Sequence, residues 1–163
     1  MIQSGAPLEQ LHVLAGPFFD AFIFMGGSGV IIGLLVAIAI AGKRRRDMLA
    51  LGLAPAIFNI SEPVIFGLPI VLNPIFGIPF VIAPIVTTII SYLSISFGLV
   101  HPVIMATMPW TTPPILGGFM ATGHWSGAAL CVVNIVASIL IYLPFVVMAE
   151  KMDAKKMDMD QAA

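Results

Sequence analysis

The chain has 163 residues; 60% are hydrophobic, 9% are charged, mean hydropathy is +1.08 and formal net charge is -1. A soluble domain of this length needs a polar surface over its core, and a disordered chain is polar and highly charged, so both classes are excluded. The near-neutral balance leaves no basic footprint for nucleic acid, and a single cysteine, Cys131, excludes an intrachain disulfide framework and a cysteine-based zinc site.

No Lys or Arg precedes Lys43, so the basic start of a cleaved signal peptide is missing, and residues 1–20 read as the remnant of an extracytoplasmic loop. Residues 21–42 form an apolar stretch of about 33 Å as a helix, long enough to span a bilayer. It carries Gly26-Gly27-Ser28-Gly29, read first as close helix packing and second as a ligand-facing turn. Lys43-Arg44-Arg45-Arg46 follows directly and marks the cytoplasmic side.

From Asp47 to Glu150 the only charged side chain between them is Glu62, so this stretch belongs in lipid. Residues 48–72 are apolar but broken by Asn59-Ile60-Ser61-Glu62-Pro63 and closed by Asn73-Pro74. Two short arms around a polar tip predict a re-entrant hairpin, tolerated at membrane depth only when buried or lining a cavity. Residues 78–100 predict a second span. Residues 101–123, interrupted by Pro102, Pro109, Pro113, Pro114, Gly117 and Gly118, predict a second hairpin with its tip at residues 109–114. Residues 125–149 predict a third span, kinked near Pro144, and residues 150–163 a cytoplasmic tail with Lys151, Lys155 and Lys156.

The expected fold is therefore an all-α integral membrane domain of residues 21–149. It has about three transmembrane helices and two re-entrant hairpins, a small set to enclose a pathway alone, so the chain either oligomerises or is part of a larger one. Two Pro/Gly-interrupted segments in corresponding positions point to a substrate site.

Within that frame Glu62 is the sharpest candidate, because a carboxylate near the bilayer centre is costly and so calls for a function. Its alternative is a buried acid pinned by Asn59, Ser61 and backbone amides. A carboxylate with hydrogen-bonding neighbours suits hydroxyl recognition, as on a sugar. Trp110, with Thr111 and Thr112 beside it, fits a sugar-stacking platform, against an aromatic-belt residue, which Trp125 fits better. His101 and His124 lack partners for a metal site and read as interfacial or packed histidines. Cys131 reads as packing. Asn134, Ser138 and Tyr142 share one helix face, pointing first to interhelical hydrogen bonds and second to a pathway lining. No metal site and no cofactor are expected.

Residues 58–74, FNISEPVIFGLPIVLNP, resemble the signature of enzyme IIC permeases of the sugar phosphotransferase system, in the lactose/cellobiose (N,N'-diacetylchitobiose) branch. Pro109-Trp110-Thr111-Thr112-Pro113-Pro114 is similar to the second motif of that branch, and Gly26-Gly27-Ser28-Gly29 and Asn134…Tyr142-Leu143-Pro144-Phe145 fit it. The resemblance covers nearly the whole chain and corresponds to the C-terminal, transport-domain part of a larger permease.

The resemblance implies a bacterial plasma-membrane protein that binds a β-diglycoside from outside. The sugar is phosphorylated on its 6-hydroxyl by the phosphocysteine of the partner enzyme IIB. Enzyme IIC is then a membrane subunit of a phosphotransferase, not a stand-alone enzyme, and a homodimer is expected for the full-length protein. Carried over residue by residue, Glu62 binds the sugar near the 6-hydroxyl and accepts its proton, and Trp110 stacks on the sugar. Asn59, Ser61 and Thr111 are neighbours contributing to binding. Two other readings stand beside this one. The first is a truncated, non-transporting fragment. The second is an intramembrane enzyme built on Glu62, which no second carboxylate, histidine partner or metal set accompanies.

Overall fold

The computed structural model describes residues 16–43, 45–105 and 107–161. Residues 1–15 of the expected loop, Arg44 of the basic cluster and residues 162–163 of the tail lie outside the described residues. The regular structure of the described residues is helical throughout. It comprises α1 (Gly16–Phe22), α2 (Ile31–Ala41), α3 (Asp47–Ile57), α4 (Glu62–Gly67), a 3-10 turn (Ile70–Leu72), α5 (Pro74–Ser96), α6 (Pro114–Thr122) and α7 (Trp125–Gln161).

Residues 21–42 do not form the single continuous helix expected there. α1 stops at Phe22, α2 starts at Ile31, and Gly26, Gly27, Gly29 and Val30 between them all take positive φ. Successive left-handed residues cannot continue a right-handed helix. α2 has 11 residues, about 16 Å, too short to cross alone. Among the described residues two helices are long and apolar enough to cross a membrane, α5 and α7.

α5 begins where Asn73 and Pro74 looked like a simple break. Asn73 Oδ1 accepts from Ile75 N–H at 3.0 Å and Pro74 takes the first helical position. This is a side-chain N-cap followed by the residue best suited to lack an N–H there. The helix continues through Pro79 and Pro84. Its outward side carries the exposed Val81, Ile85 and Ile89, and its inward side the buried Phe76, Ala83, Thr87 and Ser91.

α7 is the centre of the fold, packing against α2, α5 and α6. It is continuous through Pro144 and runs past residue 149 to Gln161, because residues 150–161 contain no Gly or Pro to end it. The hydrophobic core lies between α7 and the broken first segment, with Phe18, Phe22, Met25, Ile31, Leu34, Leu35, Ile38, Tyr142 and Val146 fully buried.

Residues 47–67 fold as α3, a turn and α4. Residues 101–123 differ in form, since the described residues of the first arm are non-helical and only the second arm holds a helix, α6. The non-helical arm finds a backbone partner instead, with Ile104 N–H donating to Ala121 O at 2.8 Å.

Beyond the tips, Arg45 joins the chain between α2 and α3 to the end of α7. Its guanidinium donates to Glu150 Oε1 at 3.0 Å, pairs with Asp153, and lies 5.4 Å from the centroid of the Phe76 ring.

Candidate functional site

Three irregular segments meet: the glycine-rich turn after α1, the turn between α3 and α4, and the turn at residues 109–112. Asn59 ties them together. Its Oδ1 accepts from Gly26 N–H at 2.9 Å, and its Nδ2 donates to Trp110 O at 2.7 Å and to Thr112 O at 3.0 Å.

The local sequence explains how Asn59 comes to face all three. α3 ends with Ile60 N–H donating to Pro55 O and Asn59 N–H to Ala56 O, both at 3.0 Å. That pairing is a Schellman cap, whose closing residue must be left-handed. Asn59 has φ of 60°, a conformation that asparagine tolerates better than most side chains. The polar break seen in the sequence is thus a helix stop that also aims an amide at its neighbours.

The glycine-rich turn packs on the same place. Gly27 has φ of +91°, and a Cβ there would lie 2.6 Å from Ser61 Cβ and 2.7 Å from Asn59 O. This close approach, with the left-handed backbone, requires glycine. The run is therefore a turn, and it also makes the close approach expected of its small residues, against Ser61 and Asn59. Ser28, next to it, is exposed. The third segment is held internally by Thr112, whose N–H and Oγ1 both donate to Pro109 O, at 3.0 and 2.7 Å.

The candidate residues fall into two groups. Asn59 and Ser61 are buried, at 5% and 3% exposure, and belong to the framework. Glu62 is exposed at the start of α4, Trp110 is 58% exposed and Thr111 is half-buried. The candidate residues with polar or aromatic surface open are Glu62, Trp110 and Thr111, whereas Asn59, Ser61 and Gly27 are buried. Sequence reasoning put the glycine-rich turn at the site only as a second reading, and named Thr112 beside Trp110 without its role inside the turn. Three glycines in four residues were the available signal.

α7 supports the glycine-rich segment. Three of its side chains donate to carbonyls that the break in the first segment leaves without helical partners. Cys131 Sγ points to Ala21 O at 3.3 Å, Asn134 Nδ2 to Phe22 O at 3.2 Å, and Tyr142 OH to Gly29 O at 2.6 Å. Asn134 also donates to Ser91 Oγ of α5 at 2.7 Å. Asn134 and Tyr142 bond other elements as expected, whereas Ser138 turns back to Ile135 O of its own helix at 2.7 Å. The buried Cys131 is packed between elements, with no exposure that would suit a phosphoryl carrier.

His101 and His124 stack with centroids 4.1 Å apart, at an interplanar angle of 22°. Ser126 N–H donates to His124 Nδ1 at 3.2 Å, and Ser126 Oγ lies 3.1 and 3.4 Å from the Nδ1 atoms of His124 and His101. They form a surface cluster of their own. Among the described residues no three His, Cys, Asp or Glu side chains gather to hold a metal ion.

The family model described as "Phosphotransferase system, EIIC" matches residues 1–84. The chain is 43% identical to the cellobiose-specific EIIC component of Lactococcus lactis subsp. lactis (strain IL1403), over 97% of this chain and 34% of that protein. It is 40% identical to the oligo-beta-mannoside-specific EIIC component of Bacillus subtilis (strain 168), over 89% of this chain and 34% of that one. It also matches the crystal structure of the transporter ChbC, the IIC component of the N,N'-diacetylchitobiose-specific phosphotransferase system. That match has a TM-score of 0.87 at 38% identity and covers 96% of this chain and 36% of ChbC. The chain spans about a third of the length of the curated relatives it matches.

Proposed function

The chain belongs to the phosphotransferase system EIIC family, in the lactose, cellobiose and chitobiose group, and from that premise we propose that it forms the sugar-binding part of a bacterial plasma-membrane permease. Its substrate is a β-diglycoside of the cellobiose, lactose or diacetylchitobiose type. The partner is enzyme IIB, and the complete permease acts as a homodimer. The observation that carries this reading is the convergence of three irregular tips on Asn59, with Glu62 and Trp110 exposed on two of them.

In this mechanism the Trp110 ring packs on the C–H face of the sugar. Glu62 accepts a hydrogen bond from the 6-hydroxyl. When the phosphocysteine of enzyme IIB transfers its group, the P–S bond breaks and a P–O bond forms to the sugar oxygen. The hydroxyl proton passes to the Glu62 carboxylate, the task of a positioned general base. Thr111 adds a hydroxyl beside the ring, and Ser61 acts below Gly27 as support. The site requires no metal or cofactor for this step.

Residues 43–47 and 150–163 lie in the cytoplasm in this reading, on the Lys/Arg rule. The ion pairs of Arg45 with Glu150 and Asp153 support a shared side for the two clusters. Reporter fusions at Arg46 and Gln161 test it, and activity of opposite reporters at the two points would overturn it.

The central test is Glu62→Gln in a full-length permease. The variant is expected to insert normally and to lose sugar phosphorylation coupled to uptake. Wild-type phosphorylation would remove both roles from Glu62. A second reading, a non-transporting fragment, is favoured by the one-third coverage of the relatives. Expressing residues 1–163 alone and together with the remaining part of a relative, in cells lacking the native permease, separates the two. Uptake only with the complement supports a contributed half-site, and no uptake in either case supports the fragment.

A further inference from the structure

We infer that Asn59 is a positioning residue of the sugar site, setting Trp110 and the glycine-rich turn without touching the sugar. The inference rests on the function proposed above. An asparagine amide has two N–H donors and one carbonyl oxygen. Both Nδ2 hydrogens are occupied, by Trp110 O and Thr112 O, and Oδ1 accepts from Gly26 N–H. The side chain is 5% exposed, so no donor is left to face a ligand. This changes the role expected from the sequence, in which Asn59 contributes to binding directly.

The position makes three demands at once. It must close the Schellman cap of α3 with a left-handed backbone, accept a bond from one segment and donate two to another. Glycine meets only the first. Aspartate meets the first and second but faces two carbonyl oxygens with a carboxylate. Glutamine carries the amide one methylene further out on a backbone that it adopts less readily. Asparagine meets all three. Through its two donor bonds it fixes the main chain of the residue whose ring is proposed to stack on the sugar.

The test uses a full-length permease carrying Asn59→Gly or Asn59→Asp. Sugar affinity is measured on the purified protein, and amide hydrogen exchange is followed over residues 23–30, 107–116 and 131–142. Asn59→Gly keeps the backbone unstrained and removes all three bonds. It is expected to speed exchange in the first two segments, leave residues 131–142 protected, and weaken affinity about tenfold. Asn59→Asp is expected to loosen residues 107–116 while residues 23–30 stay protected, with a similar loss of affinity.

Lost affinity with unchanged exchange in residues 107–116 would make Asn59 a direct ligand and overturn the inference. Unchanged affinity in Asn59→Gly would reduce its role to the helix cap and overturn it as well. If the wild-type permease binds no diglycoside while the exchange pattern holds, the proposed function fails and the clasp itself stands.

Discussion

The two long helices and the three tips satisfy their main chains by different means. α5 and α7 pair almost every amide within the helix and present aliphatic side chains outward, so lipid or a neighbouring helix serves them equally. The tips have only scattered turn bonds of their own, and they draw also on single side chains, Asn59 within one tip and Cys131, Asn134 and Tyr142 from α7. Irregular backbone in an apolar surrounding is stable only where donors are supplied to it. Sensitivity to substitution should therefore be concentrated in a few residues at the tips and spread thinly over the helices.

The strongest challenge to that contrast is Gly27→Ala. The new Cβ would press on Ser61 and Asn59 on a left-handed backbone. Overpacking should cost about 1–3 kcal/mol and backbone strain a similar amount. Reduced folded yield and a lower unfolding midpoint in detergent are expected, and a wild-type midpoint would show the turn free to move away.

Trp110→Ala comes next. It should lower sugar affinity about tenfold, equivalent to about 1.4 kcal/mol, with Trp110→Phe milder because part of the aromatic face remains. Stability should change little, since the ring is 58% exposed. Unchanged affinity in binding titrations would assign Trp110 to the membrane interface.

Tyr142→Phe removes only the donor to Gly29 O and leaves that carbonyl buried. About 1 kcal/mol of destabilisation is expected, since hydrogen bonds between helices in membranes average somewhat less than this and an orphaned group somewhat more. A control belongs on the other side of the contrast. Ile85→Leu on the exposed face of α5 should stay within about 0.5 kcal/mol. A larger loss there than in Tyr142→Phe would invert the comparison.

The sequence marked the tips well because polar residues are rare in this chain. Asn59-Ile60-Ser61-Glu62 and Pro109-Trp110-Thr111-Thr112 stand out from apolar surroundings, and both are at the observed meeting point. What each atom does there was not legible. A residue pattern shows that Asn59 is needed, but not that its donors are already taken by main-chain carbonyls. The glycine run was open to two readings because glycine serves close helix packing and left-handed turns alike. The row Asn134, Ser138, Tyr142 was legible from helical spacing, whereas the carbonyls that Asn134 and Tyr142 bond, 112 and 113 positions away, left no local trace. Asn73-Pro74 carried a readable helix start that was taken only as a break.

The bonds from α7 to Ala21, Phe22 and Gly29 join positions 110, 112 and 113 residues apart. On the ribosome this separation is a waiting time. At about 5–20 residues per second, the carbonyls of the first segment leave the tunnel several seconds before their donors. Until then the break can be solvated only by water, by the insertion machinery or by passing polar groups. The carbonyls of Ala21, Phe22 and Gly29 thus gain these partners only once α7 has been made.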